Sequence, residues 1–550
     1  MTTSAFSGGG TSSDYMRAVA VDGAGAMVSA GYFRSSLATF GDVSLTNAGG
    51  YDAVVWKQSA EGTSLWAVSG GGTSSDYLYG VAVDGAGDVV AAGHFYNSAT
   101  FGGVTLTPAG GSDAVLWKMN GDGTTLWAVR GGGTSSDPLY GVAVDNSSVV
   151  VAAGSFYSSS ATFGGVVLTN AGSRDALVWK MSAEGTTLWA VRGGGTSTDR
   201  LYGVAVDGTG AVVAAGYFSS SLATFGGVSL TNDGSYDAVL WKLNAEGTTL
   251  WAVSGGGTST DRLNAVIMDG TGAVVAAGEL RGSRATFGGL VLINVENSAI
   301  LWKLSAEGTT LWAVSGGGTK EAYQSGMMNS LAVDAVNAVV AVGSLSNSPG
   351  TFEDRVLTKA GTGYDDTDAV MWKLNAEGTT LWAIRGGGTG SDELYGVAVD
   401  GAGASVAVGS FSSSPALFEG VNLTNAGGYD AVVWKVSDGA EFTFSSDHVL
   451  LDIATLSPSF TSRDSIVTVA LPVRFIKHLV TSFRPRCHIL SVRAGVQHDA
   501  AACPATGAVA PAVAAQPPAA AARAAAALRY EALRAKIFFA HDTNKRRETR

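Results

Sequence analysis

The sequence predicts an all-β chain: a seven-bladed β-propeller of four-stranded antiparallel blades, followed by a C-terminal low-complexity tail. Three observations predict it. GGGT recurs at Gly8, Gly70, Gly131, Gly193, Gly255, Gly316 and Gly386, at spacings of 62, 61, 62, 62, 61 and 70, so the chain is built from seven units. Each complete unit holds four short runs rich in Val, Ala and aromatic residues, bounded by Gly, Asp, Asn and Ser, which is the pattern of strands. Composition then changes near residue 437: the first 436 residues hold 73 of the 76 Gly and all 13 Trp, while the last 114 hold seven of the 11 Pro and both Cys.

The second unit shows the elements in order: YLYGVAVD, DVVAAGHF, DAVLWKMN and TTLWAVR. The first run is small-residue-rich, which suits the crowded channel of a propeller, so it is expected to be innermost. The DGAG and DGTG runs at Asp22, Asp84, Asp207 and Asp400 read as tight hairpin turns between the first two strands. No window of the body sustains apolar residues at i, i+3 and i+4, so helix does not compete. Four strands in each of seven units exceed what one sandwich core holds, and radial repetition resolves this. A linear solenoid would need polar end caps, whereas the first and last units keep the apolar pattern. Closure has two candidates. TTSAFS at the N-terminus aligns with the TTLWAVS of later units, and Ala440–Ser445 (AEFTFS) offers a competing last strand.

Charge follows the same division. The body carries 20 Lys/Arg against 37 Asp/Glu, net −17, and the tail 14 against nine, net +5. An acidic body repels phosphates, so no nucleic acid is expected on the propeller. No signal peptide or membrane span is seen: the best apolar stretch, Ile466 to Val480, is cut by Pro472, Arg474 and Lys477. The organisation expected is residues 1–438 as propeller and 439–550 as a disordered or weakly helical Ala/Pro-rich basic tail, with a possible helix near Ala519 to Phe539. A monomer is expected.

The combination of DAVLWK, a Trp four residues before GGG, the GVAVD strand and a VVAAG strand, at a period near 60, resembles the SBBP β-propeller repeats over residues 2 to 436. The resemblance implies a propeller with a binding or scaffolding surface and supplies no catalytic residues to carry over. LNAEGTTLWAV is also faintly similar to quinoprotein propellers, but their adjacent Cys pairs and metal carboxylates are lacking, so no cofactor is expected.

The residues able to carry chemistry have structural readings beside them. Trp pairs such as Trp117 with Trp127 and Trp241 with Trp251 recur at fixed places, as packing between blades requires, and sugar-stacking platforms are the alternative. One Asp follows the Gly run (Asp14, Asp76, Asp137, Asp199, Asp261, Asp392) and another opens the third strand (Asp52, Asp113, Asp175, Asp237, Asp368, Asp430). A calcium-binding ring is conceivable, but one Asp per loop fits turn capping. His94, the one His of the body, stands where other units have Tyr32, Tyr217 or Phe411, and reads as packing. Cys487, His488, His498 and Cys503 match no zinc spacing. No catalytic or metal residue is therefore assigned.

The function expected is a non-catalytic binding or scaffold propeller presenting a loop face to a protein or glycan partner. The alternative is an enzyme with a metal–carboxylate site in the channel. Insertions of four and five residues in the sixth unit, with the altered ELRGSRATF of the fifth, fall on one face. They mark Arg281, Arg284, Glu296, Lys320, Glu321, Arg355 and Lys359 as the candidate binding patch.

Overall fold

The computed structural model describes residues 1–437, except 294–296, 318–326, 347 and 364–365, together with 467–470 and 534–537. Seven antiparallel sheets stand side by side in a ring. Blade one orders Asp14–Val21, Met27–Phe33, Asp52–Gln58 and Ser64–Gly72 from its inner edge outward. The first strands are innermost, as their small residues predict, and each lies against the first strands of both neighbours. Their approach is close: a Cβ on Gly203 would stand 2.8 Å from Ala265 Cα in the next blade. Larger side chains are therefore kept off this position.

Six of the seven blades are wider than four strands. The segment between second and third strands, which reads as loop in the sequence, folds into a hairpin that joins the preceding blade. Ala99–Phe101 and Val104–Leu106 of the second unit extend blade one, pairing Phe101 with Gly70 and Ala99 with Gly72. Six sheets are thus six-stranded, and that of blade five has four. At blade five the hairpin of Gly350–Phe352 and Arg355–Leu357 forms its own two-stranded sheet, tied by Gly317 N donating to Thr351 O at 2.7 Å.

The ring closes with the N-terminal strand. Thr2–Gly9 lies along Asp430–Ser437, pairing Thr2 with Ser437 through Gly8 with Ala431. The rival closure by 440–445 lies outside the described residues. Thr3 takes over a repeated role here: the buried Trp of each third strand donates its indole to a hydroxyl opening the fourth strand, Trp117 to Thr125 at 2.8 Å and Trp434 to Thr3 at 3.0 Å. Phe6 replaces the second Trp that the truncated seventh unit lacks. It covers Gly62, as Trp66 covers Gly123.

The two Trp of a unit do different work, and both pack. Trp56, Trp117, Trp179, Trp241, Trp302, Trp372 and Trp434 are among the largest fully buried side chains. The second set reaches across the blade boundary: Trp66 Nε1 donates to Gly121 O at 3.0 Å and Trp189 Nε1 to Ala245 O at 2.9 Å. Lys57 and Lys180 donate to the same two carbonyls at 3.2 Å. Contact grouping divides the chain into 1–437 and 438–550. Of the second unit, Val467–Ala470 and Arg534–Ile537 are described as paired antiparallel strands. The strand at Arg534–Ile537 falls where the sequence reads as helix-prone, and the rest of Ala519 to Phe539 lies outside the described residues.

Deleting residues 1–9 would leave blade seven three-stranded inside, with an open edge along Asp430–Ser437. Thermal unfolding followed by circular dichroism should shift down by more than about 10 °C, with self-association on size exclusion. An unchanged midpoint would contradict closure by this strand.

Candidate functional site

Every first strand carries one extra residue against its partner, a β-bulge: the register slips between Met16 and Ala18, Leu78 and Gly80, Leu139 and Gly141, Leu201 and Gly203, Leu263 and Ala265, Met328 and Ser330, and Leu394 and Gly396. Bulges re-aim side chains and recur beside functional sites. The bulged residues are Arg17, Tyr79, Tyr140, Tyr202, Asn264, Asn329 and Tyr395, and they meet from blade to blade around the channel. Tyr79 and Tyr140 rings lie 5.6 Å apart, Tyr140 and Tyr202 5.0 Å, and the Arg17 guanidinium sits 4.0 Å from the Tyr395 ring centroid. Asn264 and Asn329 instead donate to Met328 O at 3.0 Å and Leu394 O at 2.8 Å in the next blade.

Above this ring the channel opens on the face that carries the GGGT links. All thirteen described tyrosines lie at that end of the strands: in the first half of first strands, at the end of second strands, or just before third strands. Ten of them form a connected run of ring contacts, which Tyr96 joins through His94 and Tyr395 through Arg17. Tyr429 stacks on Tyr15 at 5.4 Å, and Tyr15, Tyr32 and Tyr51 lie within 6.4 Å of one another. Tyr32 meets Tyr77 edge-on at 4.8 Å, and Tyr202, Tyr217 and Tyr236 continue the run at 5.9 and 4.6 Å. Tyr15, Arg17, Tyr32, Tyr51, Tyr77, Glu393, Tyr395 and Tyr429 line a cleft of about 330 Å³. Blades five and six break the run with Arg262, whose Nε lies 3.0 Å from the buried Glu279 carboxylate, and with Met327 and Ser344.

Burial acts on the titrating groups of this cluster. It pushes the Tyr15 hydroxyl up to about 12 and raises Tyr32, Tyr79 and Tyr395, so these phenols stay neutral well into alkaline pH. Burial, with Arg174 nearby, brings His94 down to about 4, leaving a neutral imidazole among Tyr77, Tyr79 and Tyr96. The packing expected of His94 is what the structure shows, with one correction. Phe411 pairs with Asp392 and Asp430 as Phe95 pairs with Asp76 and Asp113, so the counterpart of His94 is Ser410.

The members of the sequence-derived patch are placed separately. Glu296, Lys320 and Glu321 lie outside the described residues. Arg281 directly follows the second strand Val274–Leu280 at the mouth, its Nε 3.5 Å from Glu279. Arg284 opens the hairpin docked on blade four, and Arg355 lies in the hairpin beside blade five, 3.4 Å from Asp354. Lys359 is spent inside its own loop, donating to the carbonyls of Ser346, Gly363 and Asp366 at 3.2, 2.9 and 2.8 Å. The aromatic mouth does not lie in the loops that vary in length from unit to unit. Its signal lies inside the strands: Tyr15, Tyr77, Arg200, Arg262 and Glu393 vary at one position of an otherwise repeated element.

No protein-family model and no curated protein matches the chain. Among solved structures it is similar to the Pan2 WD40 domain of Neurospora crassa, at 11% identity and a TM-score of 0.32, covering 67% of this chain and 91% of that one. It is also similar to Sqt1 from Chaetomium thermophilum, at 9% identity and a TM-score of 0.36, covering 80% of this chain and all of the other. Among the described residues no helix is long and apolar enough to cross a membrane.

The recurrent aspartates cap turns. Asp76 accepts from Gly72 N at 2.8 Å and Tyr96 N at 3.1 Å, and Asp237 accepts from Asp233 N at 2.9 Å. They also face one another in pairs across the second Gly of GGGT. A Cβ on Gly256, which has φ +157°, would stand 2.8 Å from Asp237 Oδ1 and 2.9 Å from Asp261 Oδ2. Burial pushes Asp76, Asp237, Asp368 and Asp430 up to about 6 and Asp261 up to about 7. Among the described residues no three His, Cys, Asp or Glu side chains converge as metal ligands would.

On the opposite face, burial also acts upward on Asp22, Asp269 and Asp400, but turn hydrogen bonds and Lys57, Lys303 and Lys435 hold them below the usual carboxylate range. The raised group contributes stability below the unfolded value of about 4 and loses it as pH climbs through 6 to 7. The lowered group does the reverse, losing its contribution only as pH falls below about 4. The melting temperature should therefore peak near pH 4 to 5 and fall on the order of 5 °C by pH 8. Asp237→Asn should raise the midpoint at pH 8 and shrink that difference. A midpoint rising steadily from pH 5 to 8 would contradict the assignment.

Proposed function

We propose that this chain is a non-catalytic binding propeller that takes a protein or glycan partner on the face bearing the GGGT links and the channel mouth. The observation that carries this reading is the gathering of all thirteen described tyrosines at that end of the strands, joined by Arg17, Arg200 and Arg262. Tyr and Arg are the residues enriched in binding surfaces, because they give large contact area and hydrogen bonds at little entropy cost. A ring of blades holds them rigidly, so little order has to be created on binding. The resemblance to SBBP repeats points the same way. We keep the blade-five and blade-six patch, with Arg281, Arg284 and Arg355 at the rim, as a secondary contact.

The second reading, a metal–carboxylate enzyme, draws on the orphaned carboxylate oxygens of Asp52, Asp113, Asp175, Asp237, Asp368 and Asp430. These stand at blade junctions against glycine backbone, which favours a structural role for them. Metal analysis of the purified chain before and after chelation separates the readings: stoichiometric, tightly held metal would favour the enzyme.

With a partner captured on the immobilised chain, Tyr51→Ala with Tyr429→Ala should weaken binding at least about tenfold. Arg281→Glu with Arg284→Glu should weaken it less. Affinity indifferent to both pairs, measured by surface plasmon resonance, would show that this face is not the binding surface.

A further inference from the structure

We propose that the channel mouth binds an uncharged oligosaccharide chain, one end of which enters the cleft beside Arg17 and Glu393. This rests on the binding reading above and names the ligand for it. Three observations favour a sugar over a cation, an anion or a protein surface.

The first is size. A concave cleft of about 330 Å³ is at the small end of the range for small-ligand sites, and a flat protein epitope would leave it unfilled.

The second is charge. Clustered tyrosine rings attract cations, but the cation here is built in. Arg17 lies 4.0, 5.3 and 5.5 Å from the Tyr395, Tyr32 and Tyr15 ring centroids, and its Nε donates to the Tyr32 hydroxyl at 2.9 Å. A cationic ligand would meet Arg17, and an anionic one would meet Glu393 in the same cleft. The two charges offset, leaving ring faces and phenol hydroxyls as the recognising groups. A pyranose presents the complement: an apolar C–H face that lies on an aromatic ring and hydroxyls around its edge.

The third is extent. The aromatic run continues beyond the cleft through Tyr79, Tyr140, Tyr202, Tyr217 and Tyr236, with neighbouring centroids 4.6 to 6.1 Å apart. Tyr217 is buried and only supports its neighbours, but the partly exposed rings on either side of it offer successive positions to a chain of sugars, so affinity should grow with chain length. Tyr51, Tyr77 and Tyr429 are half-buried and Tyr236 is exposed, which fixes each ring while leaving area for contact.

The test uses the full chain and isothermal titration calorimetry. The ligands are uncharged gluco-, manno-, galacto- and xylo-configured disaccharides and hexasaccharides, a uronate hexasaccharide and a proline-rich decapeptide. At least one uncharged hexasaccharide should bind with Kd below about 1 mM, about tenfold tighter than its disaccharide. Tyr51→Ala and Tyr236→Ala should each weaken it at least about fivefold, Tyr51→Trp should retain it, and Val336→Ala on the opposite face should leave it unchanged. Melting temperatures of the variants establish that each is folded. Failure of every uncharged hexasaccharide, binding of the uronate or the peptide alone, or equal binding by both folded Ala variants overturns the proposal. Peptide binding that is lost in Tyr51→Ala would overturn the sugar and leave the binding face standing. Loss of both would require that no captured partner responds to Tyr51 or Tyr429 either.

Discussion

The turn between third and fourth strands offers a carbonyl that receives two donors from the blade before it, an indole and an ammonium. Gly121 O takes Trp66 and Lys57, Ala245 O takes Trp189 and Lys180, and Ala306 O takes Trp251 and Lys242. The lysines are nearly buried, and a first turn supplies a further partner: Lys57 pairs with Asp22 at 3.0 Å and Lys303 with Asp269 at 2.9 Å in their own units, and Lys180 donates to Gly210 O of the next unit at 2.9 Å. A buried ammonium is tolerated only when paired and hydrogen-bonded, so both partners must be in place for either to be. This joint fixes the relation of one blade to the next. Repeated with little change, it sets the inner strands close enough that only small residues follow each bulge.

The swapped hairpins act at the opposite, outer end of the same sheets. Each unit gives its outer strands to the blade before it, so no unit completes its blade alone. The N-terminal strand does for blade seven what the fourth strand does elsewhere, with Thr3 and Phe6 standing in for the missing hydroxyl and indole contacts. Blade five is the exception: Ser298 replaces the aspartate that opens third strands elsewhere, and its outer hairpin is paired apart from the sheet.

The faces of the ring differ in how they use repetition. The turn face repeats one set of staples almost residue for residue. The link face keeps the capping aspartates and varies the side chains between them, so a rigid frame carries a different group on each blade. Tyrosines crowd the mouth from blade seven through blade four, and Arg262, Glu279 and Asn264 interrupt it at blade five. Variation inside a fixed frame is how one scaffold comes to hold a site of low symmetry.

The sequence by itself determined the seven units, the strands of each, the small-residue inner strand and the packing role of both tryptophans. These follow from periodicity and residue size, and both are local properties of the chain. The tertiary structure alone decided three matters. The hairpins Ala99–Leu106 and their counterparts read as loops because their strands are three or four residues long and find their pairing in another unit. Closure had two candidates of similar composition, and only strand pairing could choose Thr2–Gly9. The aromatic mouth draws Tyr15, Tyr32 and Tyr51 from different strands of one unit and Tyr429 from the far end of the body. Residues so far apart in sequence meet only because the ring closes and brings these strand ends to one mouth.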